Sequence, residues 1–398
     1  MIFIDILQYS LFTLIGFLLG YQVFLGLLAF RARRVTNLES ETRRKFAIIV
    51  PAHNEEKMIS KTIYSLFGLV YPKKLYDLIV VADNCTDKTA RIARNLGATV
   101  LERKNEEKRG KGYALRWAMD QLLTSDNDYD ALIVVDSDSL VSGNYLEVMN
   151  HYLESGSEVI QSSDLVLPRP DTWSIETTRI GFLLYNHVKP LGRKVLGFNM
   201  GLRGNGMCFS TDLVRRIPWQ SWALTEDLEY GLILMLQGVK IDFAPEAHVW
   251  AQMPVNASNA ESQRTRWEFG RFEMVRKYAT GFLKKAWEQK SIKYLDVLID
   301  LITPPFVNVM LLVTLLTGLN LLFWSLGLLP VHFALMWAGL AVLGGIHLFT
   351  GLYVSGADKD LYKSLLYIPM YVFWKVKVYL KVFISGREMT WIRTTRDS

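Results

Sequence analysis

The stretch Ala131–Ser139, ALIVVDSDS, joins five apolar residues directly to two carboxylates one residue apart, Asp136 and Asp138. A short apolar run of this kind is typical of a strand that is buried on both faces. Two neighbouring negative charges at the end of such a strand are costly unless a cation or hydrogen-bond donors neutralise them. The stretch therefore predicts a buried strand that ends in a site for positive charge.

Strand-like and helix-like segments alternate around this stretch, from Lys45 to about Ala251. The predicted strands are 46–50, 77–82, 98–102, 131–135, 158–162 and 239–243, and the predicted helices are about 55–68, 86–96, 112–123 and 142–153. Alternation of this kind predicts the α/β class, with a mostly parallel sheet and helices on both faces. Neither G-x-G-x-x-G nor G-x-x-x-x-G-K-[ST] occurs, so a nicotinamide cofactor and a P-loop nucleotide site are both unsupported.

Polar residues follow three of these strands at the point where each strand ends. PAHNEE (51–56) follows the first, Asp83 in ADNCTD follows the second, and Asp136 and Asp138 follow the fourth. Ligands of open α/β sheets bind outside the carboxyl ends of the strands. Aspartate and asparagine also cap helices for structural reasons, but three clusters at one edge favour a binding site. Mg²⁺ or Mn²⁺ suits Asp136 and Asp138, because Mg²⁺ is usually held by one or two carboxylates plus substrate phosphates.

Two further segments have the residue types of an active site. Lys111 lies in RGKGYAL (109–115), where a helix is predicted to start, and helix N-termini favour phosphate; the alternative is an exposed loop lysine. In TEDLEYG (225–231), acids in a first helical turn suit the helix dipole and so have a structural explanation. The functional interpretation makes Asp227 a general base, which requires burial or the neighbouring Glu226 to raise its pKa toward the operating pH.

The segment QRTRW (263–267) is a candidate binding segment in addition to DSD, RGKGYAL and TEDLEYG. Gln263, Arg266 and Trp267 stand at i, i+3 and i+4, so a helix places them on one face. Arginine can hold a phosphate with two hydrogen bonds, and tryptophan offers a flat ring for a sugar. The alternative is an interfacial helix, where Trp and Arg are also common.

Apolar residues make up 50% of the 398 residues and concentrate near both ends of the chain. Phe3–Phe30 is long enough to span a bilayer. A cleaved signal peptide fits poorly, since MIFID has no positive charge and no A-x-A site follows. The basic cluster RARR (31–34) predicts that the next domain is cytoplasmic. Pro305–Leu328 and Val331–Val354 predict a transmembrane hairpin.

The basic residues mostly flank these apolar segments. The net charge of +6 therefore favours a membrane surface over nucleic acid as a partner. In 361–385, Lys375 and Lys377 would lie near mid-membrane in a span, which favours a helix in the interface. The basic segment 272–293 predicts an interfacial helix, with a solvated helix as the alternative. Two cysteines predict no disulfide framework and are consistent with a reducing compartment.

The motifs PAHNEE, ADNCTD, GKGYAL, DSD, TED and Q-x-x-R-W occur in the same order as in membrane-embedded family 2 glycosyltransferases, which this sequence resembles. That family includes cellulose, hyaluronan, chitin and poly-N-acetylglucosamine synthases and, more distantly, ceramide glucosyltransferase. The resemblance covers about Phe46 to Arg271 by motif and is specific as an ordered set. It implies a GT-A fold, a nucleotide-diphosphate sugar donor with a UDP-sugar favoured, and inverting transfer. It also implies an integral protein of the plasma (inner) membrane with a cytoplasmic catalytic domain.

The resemblance implies a set of residues that bind the donor: Pro51, His53, Asn54, Glu55, Asp83, Lys111, Asp136, Gln263 and Arg266. Asp83 would hold the edge of the base, and the loop from Pro51 would line the nucleotide pocket. Ala52 and His53 stand where Thr or Ser and Tyr are commoner, which leaves the contact with the base open.

The resemblance also implies the catalytic, metal and acceptor residues. Asp227, beside Glu226, would take the proton from the acceptor hydroxyl, and Asp138 with Asp136 would ligate the metal. The acceptor would be bound by Trp267, Asn205 and Gly206. Asn205 and Met207 replace the small residues expected there, so the acceptor pocket is expected to differ from that of the synthases.

These predictions divide the chain into an N-terminal transmembrane helix with a basic flank (1–34), a GT-A domain (45–271), an interfacial region (272–304), a transmembrane hairpin (305–354), and a C-terminal interfacial helix with a basic tail (355–398). The leading hypothesis is synthesis of an extracellular or capsular polysaccharide. Glycosylation of a membrane lipid and a non-catalytic membrane scaffold are the alternatives. A transporter is disfavoured, since the spans lack paired intramembrane charges. A homo-oligomer or an accessory export protein stays open as a further partner.

Overall fold

The computed structural model describes residues 2–32, 35, 38, 40, 42–169, 172–253, 257–368 and 370–372, with no side chains described for 257–262. The chain divides into two compact units. The first, here called the α/β unit, comprises the described residues of Arg33–Leu167 and Asn199–Leu295. The second, the helical unit, comprises the described residues of Met1–Ala32, Pro168–Phe198 and Asp296–Arg387. Lys375, Lys377 and the basic tail of the predicted C-terminal helix lie outside the described residues.

The strands of the α/β unit are, in chain order, β1 Phe46–Ala52, β2 Tyr76–Asp83, β3 Thr99–Arg103, β4 Ala131–Val134, β5 Ser139–Val141, β6 Val159–Val166, β7 Met207–Ser210 and β8 Ile241–Ala251. The described helices are α1 Ile2–Leu28, α2 Ile59–Phe67, α3 Thr89–Asn95, α4 Lys111–Leu123, α5 Tyr145–Glu154, α6 Trp173–Leu183, α7 Lys189–Val195, α8 Thr211–Arg216, α9 Glu226–Leu236, α10 Ala257–Glu288, α11 Ile292–Ile302, α12 Phe306–Ser325, α13 Val331–Val354 and α14 Lys359–Lys363.

Within the described residues the sheet has the order β3-β2-β1-β4-β7-β6-β8-β5. The pairs β1–β2, β1–β4, β2–β3 and β6–β8 are parallel, as the alternation of strands and helices predicted. The prediction missed β5 and β7, and both pair antiparallel with their neighbours. The sheet is therefore mixed rather than mostly parallel. The missed strands are only three and four residues long, too short for a periodic pattern to identify them.

Burial explains why the apolar runs form central strands. All four residues of β4 are buried, and β1 is buried at every position except Pro51. A fully buried Val, Leu or Ile contributes about 1.5–3 kcal/mol relative to exposure. The core on one face of the sheet includes Ile48, Ile133 and Val148 from β1, β4 and α5. These strands therefore provide a fixed edge from which loops can project.

Three described helices of the chain are long and apolar enough to cross a membrane: Ile2–Arg31, Phe306–Ser325 and Val331–Val354. They confirm the predicted apolar spans. The side chain of Gln8 donates a hydrogen bond to Asn320 (3.1 Å) and accepts one from Trp337 (2.7 Å), so α1 contacts both other helices through polar groups. Hydrogen bonds of this kind are a common link between helices in an apolar environment.

Two helical features bear on the predicted division of the chain into domains. A helical segment not predicted from the sequence, α6 and α7 joined by a π-helical turn at Leu184–Val188, lies between β6 and β7 in the chain. It belongs to the helical unit, where a Cβ on Gly192 would lie 2.1 Å from the carbonyl oxygen of Leu25 in α1. Helix α10 also runs without interruption through the predicted domain boundary at 271–272. Helices α6 and α7 were not predicted because polar and apolar residues alternate irregularly over 173–195, so no helical periodicity is visible in that sequence.

A buried group of charges links three helices of the helical unit. Arg193 in α7 pairs with Asp296 and, at 2.8 Å, with Asp300 in α11. Lys189 also pairs with Asp300, and Tyr21 in α1 donates a hydrogen bond to Asp296. Burial disfavours the charge on Arg193, but the carboxylates of Asp300 and Asp296 outweigh it and raise the pKa of Arg193. Two cations thus balance two anions.

We expect Arg193→Ala to lower the free energy of unfolding by about 3–5 kcal/mol, because it leaves two buried carboxylates with Lys189 as their one remaining cation among the described residues. Thermal unfolding in detergent measures the effect. The matched control is Arg94→Ala, which removes an ion pair with Glu102 in which both side chains are about half exposed. That change should cost about 0–1 kcal/mol. Equal losses for the two variants would contradict the role given to the buried pair.

Candidate active site

The two aspartates of DSD lie at the carboxyl end of β4 in a loop held by hydrogen bonds. The backbone N–H of Asp136 donates to Oδ1 of Asn205 (3.0 Å), and Thr62 donates to the carbonyl of Ser137 (2.8 Å). Asp138 is buried at 5% exposure, and Ser139 donates to its Oδ1 (3.3 Å). The carboxylates therefore occupy defined positions at the edge of the sheet.

Lys111 begins α4 and lies in this site rather than in an exposed loop. Its ammonium group forms an ion pair with Asp136 and donates to the carbonyl of Gly204 (2.6 Å). Burial disfavours the charged form, but the carboxylates of Asp136 and Glu226 outweigh it and raise the pKa of Lys111. Gly110 directly before the helix has φ +121, a conformation that side chains other than glycine rarely adopt. The lysine is therefore a fixed cation among the carboxylates.

Glu226 and Asp227 of TED begin α9, beside the loop that contains Gly204. A Cβ on Gly204 would lie 3.0 Å from Oδ2 of Asp227, and Gly204 has φ +81, so glycine is required at this contact. Burial, followed by the charge of Asp227, raises the pKa of Glu226 to about 7. Burial also raises the pKa of Asp227, although Lys111 opposes it. Burial thus offsets the acidifying effect of the helix N-terminus and raises the pKa of both carboxyl groups.

Helix α10 packs along α9 and carries the Q-x-x-R-W residues. A Cβ on Gly270 would lie 2.5 Å from Cγ2 of Thr225, so the two helices touch at the start of α9. Tyr278 donates to Glu229 (3.0 Å), one α9 turn further on. Gln263 and Arg266 precede Gly270 by seven and four residues, which places them on the face of α10 that meets α9. Nε of Arg266 is buried with no hydrogen-bond partner among the described residues, as expected of a group awaiting a ligand.

The residues after β1 and β2 form a second hydrogen-bonded group. His53 contacts the carbonyl of Asp83 (2.7 Å), and Oδ1 of Asn54 accepts from the N–H of Thr86 (2.7 Å). The N–H of Glu55 donates to Thr89 (2.7 Å). These contacts bring the PAHNEE and ADNCTD segments together, as expected for strands that end at one edge. Their roles in binding a nucleotide stay predictions.

Arg103 belongs to this group and was not predicted from the sequence. It forms a buried ion pair with Asp83 and donates to the carbonyl of Lys108 (2.7 Å). The two residues stand opposite each other in the β2–β3 register. A sequence signal existed, since each residue directly follows its predicted strand, but only the register makes them neighbours. Arg103 orients the carboxylate that is predicted to hold the base.

Asn205 and Gly206 lie beneath the site rather than at its surface. Asn205 is 3% exposed, and a Cβ on Gly206 would lie 2.1 Å from Oγ of Ser162. Their described hydrogen bonds are to protein groups. Trp267 is partly exposed on α10. An acceptor-binding role for these three residues stays a prediction.

The oxygen donors present fit a divalent cation that substrate also ligates. Asp136 and Asp138 supply carboxylates without thiol or imidazole, the chemistry that Mg²⁺ and Mn²⁺ prefer. Among the described residues there is no group of three or more His, Cys, Asp or Glu that could hold a metal ion alone. Phosphate oxygens of a substrate would complete such a coordination shell. Nε of Arg266, which has no hydrogen-bond partner among the described residues, is suited to the same phosphate.

The fold and site together define a GT-A glycosyltransferase. The family model described as "Glycosyltransferase like family 2" matches residues 43–270, more than half of the chain, so the chain belongs to that family. The GT-A fold and the transferase class predicted from the sequence are thus confirmed.

Relatives with curated names are similar over part of the chain. A probable glycosyltransferase of Bacillus subtilis, YdaM, is 25% identical over 249 residues, 60% of this chain and 58% of that protein. A Staphylococcus aureus poly-beta-1,6-N-acetyl-D-glucosamine synthase is 23% identical over 285 residues, 68% of this chain and 65% of that protein. The chain thus matches about three fifths of the length of these relatives.

A solved structure has a similar fold. It is the mannosyltransferase PcManGT from Pyrobaculum calidifontis in complex with GDP-Man and Mn²⁺, with a TM-score of 0.55 and 14% identity, covering 88% of this chain and 99% of that one.

The raised pKa values predict the pH dependence of transfer. Asp227 cannot act as a base while it carries a proton, and burial raises its pKa. The rate constant kcat/KM should therefore fall at acidic pH as the Glu226–Asp227 pair takes up protons, with the titration of Glu226 at about pH 7. Glu226→Gln removes the carboxyl whose pKa lies at about 7, so the acidic limb should then report Asp227 alone and move to lower pH. The pH profile of kcat/KM measures this shift. Asp212→Asn, an exposed acid in the first turn of α8, is the control. An unmoved limb in Glu226→Gln would refute the coupling.

The contact at Gly270 predicts a second effect. Gly270→Ala forces α10 away from Thr225, so kcat/KM should fall by about 10- to 100-fold, as small misplacements of binding groups can cost about 100-fold. Gly281→Ala on the same helix is the control, because its Cβ would lie at an ordinary 3.6 Å from Leu236. Steady-state kinetics compare the two variants. Similar activity in both would show that close contact of α10 with α9 is dispensable.

Proposed function

We propose that this glycosyltransferase moves a sugar from a nucleotide-diphosphate sugar, a UDP-sugar by preference, to an acceptor hydroxyl with inversion at the anomeric carbon. The observation that carries the proposal is that side chains from three elements meet at Gly204. Lys111 donates to its carbonyl, Asp227 lies against its α-carbon, and Asp136 pairs with the same lysine. A base, a cation and metal-binding carboxylates from three separate elements thus meet at one loop.

The donor side needs positive charge where the leaving diphosphate gains negative charge. Asp138 and Asp136 would hold Mg²⁺ or Mn²⁺, which supplies Lewis-acid stabilisation of the diphosphate. Nε of Arg266 is buried and has no partner in the described part of the chain, so this side chain is suited to bind phosphate oxygens. Asp83, oriented by Arg103, would accept a hydrogen bond from the edge of the base. The solved GDP-Man and Mn²⁺ complex of a protein with this fold supports the assignment of donor and metal class.

The acceptor side needs one base. Asp227 would take the proton from the attacking hydroxyl, and its raised pKa makes it a stronger base than an exposed aspartate. Lys111 stabilises the ionised pair by its charge. A single base opposite the leaving diphosphate permits one direct displacement, and a direct displacement inverts the anomeric carbon.

We place the reaction at the cytoplasmic face of the plasma (inner) membrane, in the synthesis of an extracellular or capsular polysaccharide. Three apolar helices long enough to cross a membrane and the basic residues after the first support this location. The similarity to a Staphylococcus aureus poly-N-acetylglucosamine synthase supports a glycan acceptor.

A screen of UDP- and GDP-sugars with the purified protein, with and without Mn²⁺, tests the donor and the metal. Sizing the labelled product tests the acceptor. Products with a series of chain lengths support synthesis of a polysaccharide. A product with a single sugar in the lipid phase would contradict this and support glycosylation of a membrane lipid. Anomeric configuration of the product, read by NMR, tests inversion.

Variants test the residue assignments. Asp227→Asn should lower kcat by about 100- to 10,000-fold while nucleotide binding is retained, as expected for loss of a general base. Asp138→Ala should abolish the Mn²⁺-dependent rate, whereas Asp136→Ala should mainly weaken nucleotide binding. Asp128→Ala, an exposed aspartate in the loop before β4, is the control. Full activity of Asp227→Asn would favour a non-catalytic role for the site, and metal-independent activity of Asp138→Ala would remove the metal from the mechanism.

A further inference from the structure

A buried amide lies directly under the two aspartates of DSD. Oδ1 of Asn205 accepts from the backbone N–H of Asp136 (3.0 Å), and its Nδ2 donates to Oγ of Ser139 (2.9 Å) and to Oδ1 of Asp164 (3.3 Å). A backbone N–H can only donate, so it determines which way the amide points. One side chain thus contacts both ends of the DSDS segment.

The contact with Ser139 extends the influence of Asn205 to the second aspartate. Oγ of Ser139 accepts from Asn205 and donates to Oδ1 of Asp138 (3.3 Å). Asp136 is thus held through its backbone, and Asp138 through a hydroxyl group. Ser139 is fully buried, where hydrogen bonds are stronger than in water and unsatisfied groups are costly.

Asn205 is itself held by strand β6. Gln161, fully buried, donates to the carbonyl of Asn205 (2.8 Å) and accepts from the N–H of Arg203 (2.9 Å). Ser162 donates to the carbonyl of Gly206 (3.0 Å), and Asp164 three residues after Gln161 accepts from the amide of Asn205. Strand β6 therefore holds Asn205 through its backbone carbonyl, through the adjacent backbone of Arg203 and Gly206, and through its side-chain amide. These contacts fix the position of the side chain before any substrate binds.

We propose that Asn205 is a positioning residue that holds Asp136 and Asp138 in the geometry needed for the metal and the diphosphate, and that Asp164 orients its amide. The proposal rests on the metal-dependent transfer proposed above. It assigns Asn205 to the donor side of the reaction, although the sequence motif predicts contact with the acceptor. Small displacements of binding groups can cost about 100-fold in rate, so a buried residue can matter as much as one that touches substrate.

Asn205→Asp tests the role of Nδ2. The aspartate keeps an oxygen for the N–H of Asp136 but places an acceptor where Ser139 and Asp164 require a donor. The assay is Mn²⁺-dependent hydrolysis of the UDP- or GDP-sugar that the wild-type protein accepts, measured without acceptor. We expect hydrolysis to fall by about 10- to 100-fold and the Mn²⁺ concentration for half-maximal rate to rise about tenfold.

Restoring the donor should restore the rate. Asp164→Asn in the Asn205→Asp background supplies an Nδ2 that can donate to the new carboxylate, so at least a tenfold recovery is expected. Asp164→Asn alone can still present an oxygen to Asn205, so it should lower the rate less than Asn205→Asp does. Ser139→Ala removes only the link to Asp138 and keeps the core volume, so it should raise the half-maximal Mn²⁺ concentration even if Asn205→Asp fails to fold.

The matched control is Asn199→Ala, which removes an amide whose Oδ1 accepts from the N–H of Ile241 (3.0 Å) in the same sheet. It should lower the melting temperature without changing the Mn²⁺ dependence. Wild-type hydrolysis and Mn²⁺ dependence in both Asn205→Asp and Ser139→Ala, or a rise in acceptor KM alone, would overturn the proposal. No turnover of any nucleotide sugar by the wild-type protein would instead refute the proposed function, so the two failures are distinguishable.

Discussion

The ammonium group of Lys111 allows the carboxylates of the active site to lie close together. Asp136, Glu226 and Asp227 come from two separate elements, and their mutual repulsion in a low-dielectric site would be costly without a cation. Lys111 pairs directly with Asp136 and acts on the other two by its charge. Its position at the start of α4, next to a glycine with positive φ, is therefore a condition for the rest of the site.

The antiparallel strand β7 brings the remaining part of the site to the same edge. It pairs with β4 so that Val134 stands opposite Met207, which places the start of β7 beside the end of β4. Gly204 and Asn205, which precede β7, consequently lie next to Asp136. A parallel strand at this position would begin at the opposite edge of the sheet. One change of strand direction thus joins the 201–206 loop to the DSD loop.

Buried polar groups organise both units, with different consequences. In the α/β unit, the uncharged side chains of Asn205 and Gln161 form a hydrogen-bond network that holds the DSD loop in place. In the helical unit, Arg193 and Lys189 balance Asp296 and Asp300 among packed helices. Buried ion pairs of this kind add little stability over apolar packing, but removing one partner strongly destabilises the fold because it leaves an unpaired buried charge. They therefore favour one arrangement of helices over others.

The sequence by itself determined the local features. Apolar runs identified the central strands and the three apolar helices, and polar residues at strand ends predicted that the PAHNEE, ADNCTD and DSD segments share one edge of the sheet. The ordered motifs of the family resemblance added TED and Q-x-x-R-W to the predicted site. These signals are local, because burial on both faces and helical spacing are written in consecutive residues. The tertiary structure decided which residues meet. The Asp83–Arg103 pair depends on register, the burial of Asn205 depends on the direction of a four-residue strand, and the approach of Arg266 to α9 depends on the missing side chain at Gly270. Each joins residues at least 20 positions apart, and such contacts arise from packing geometry rather than from any pattern in neighbouring residues.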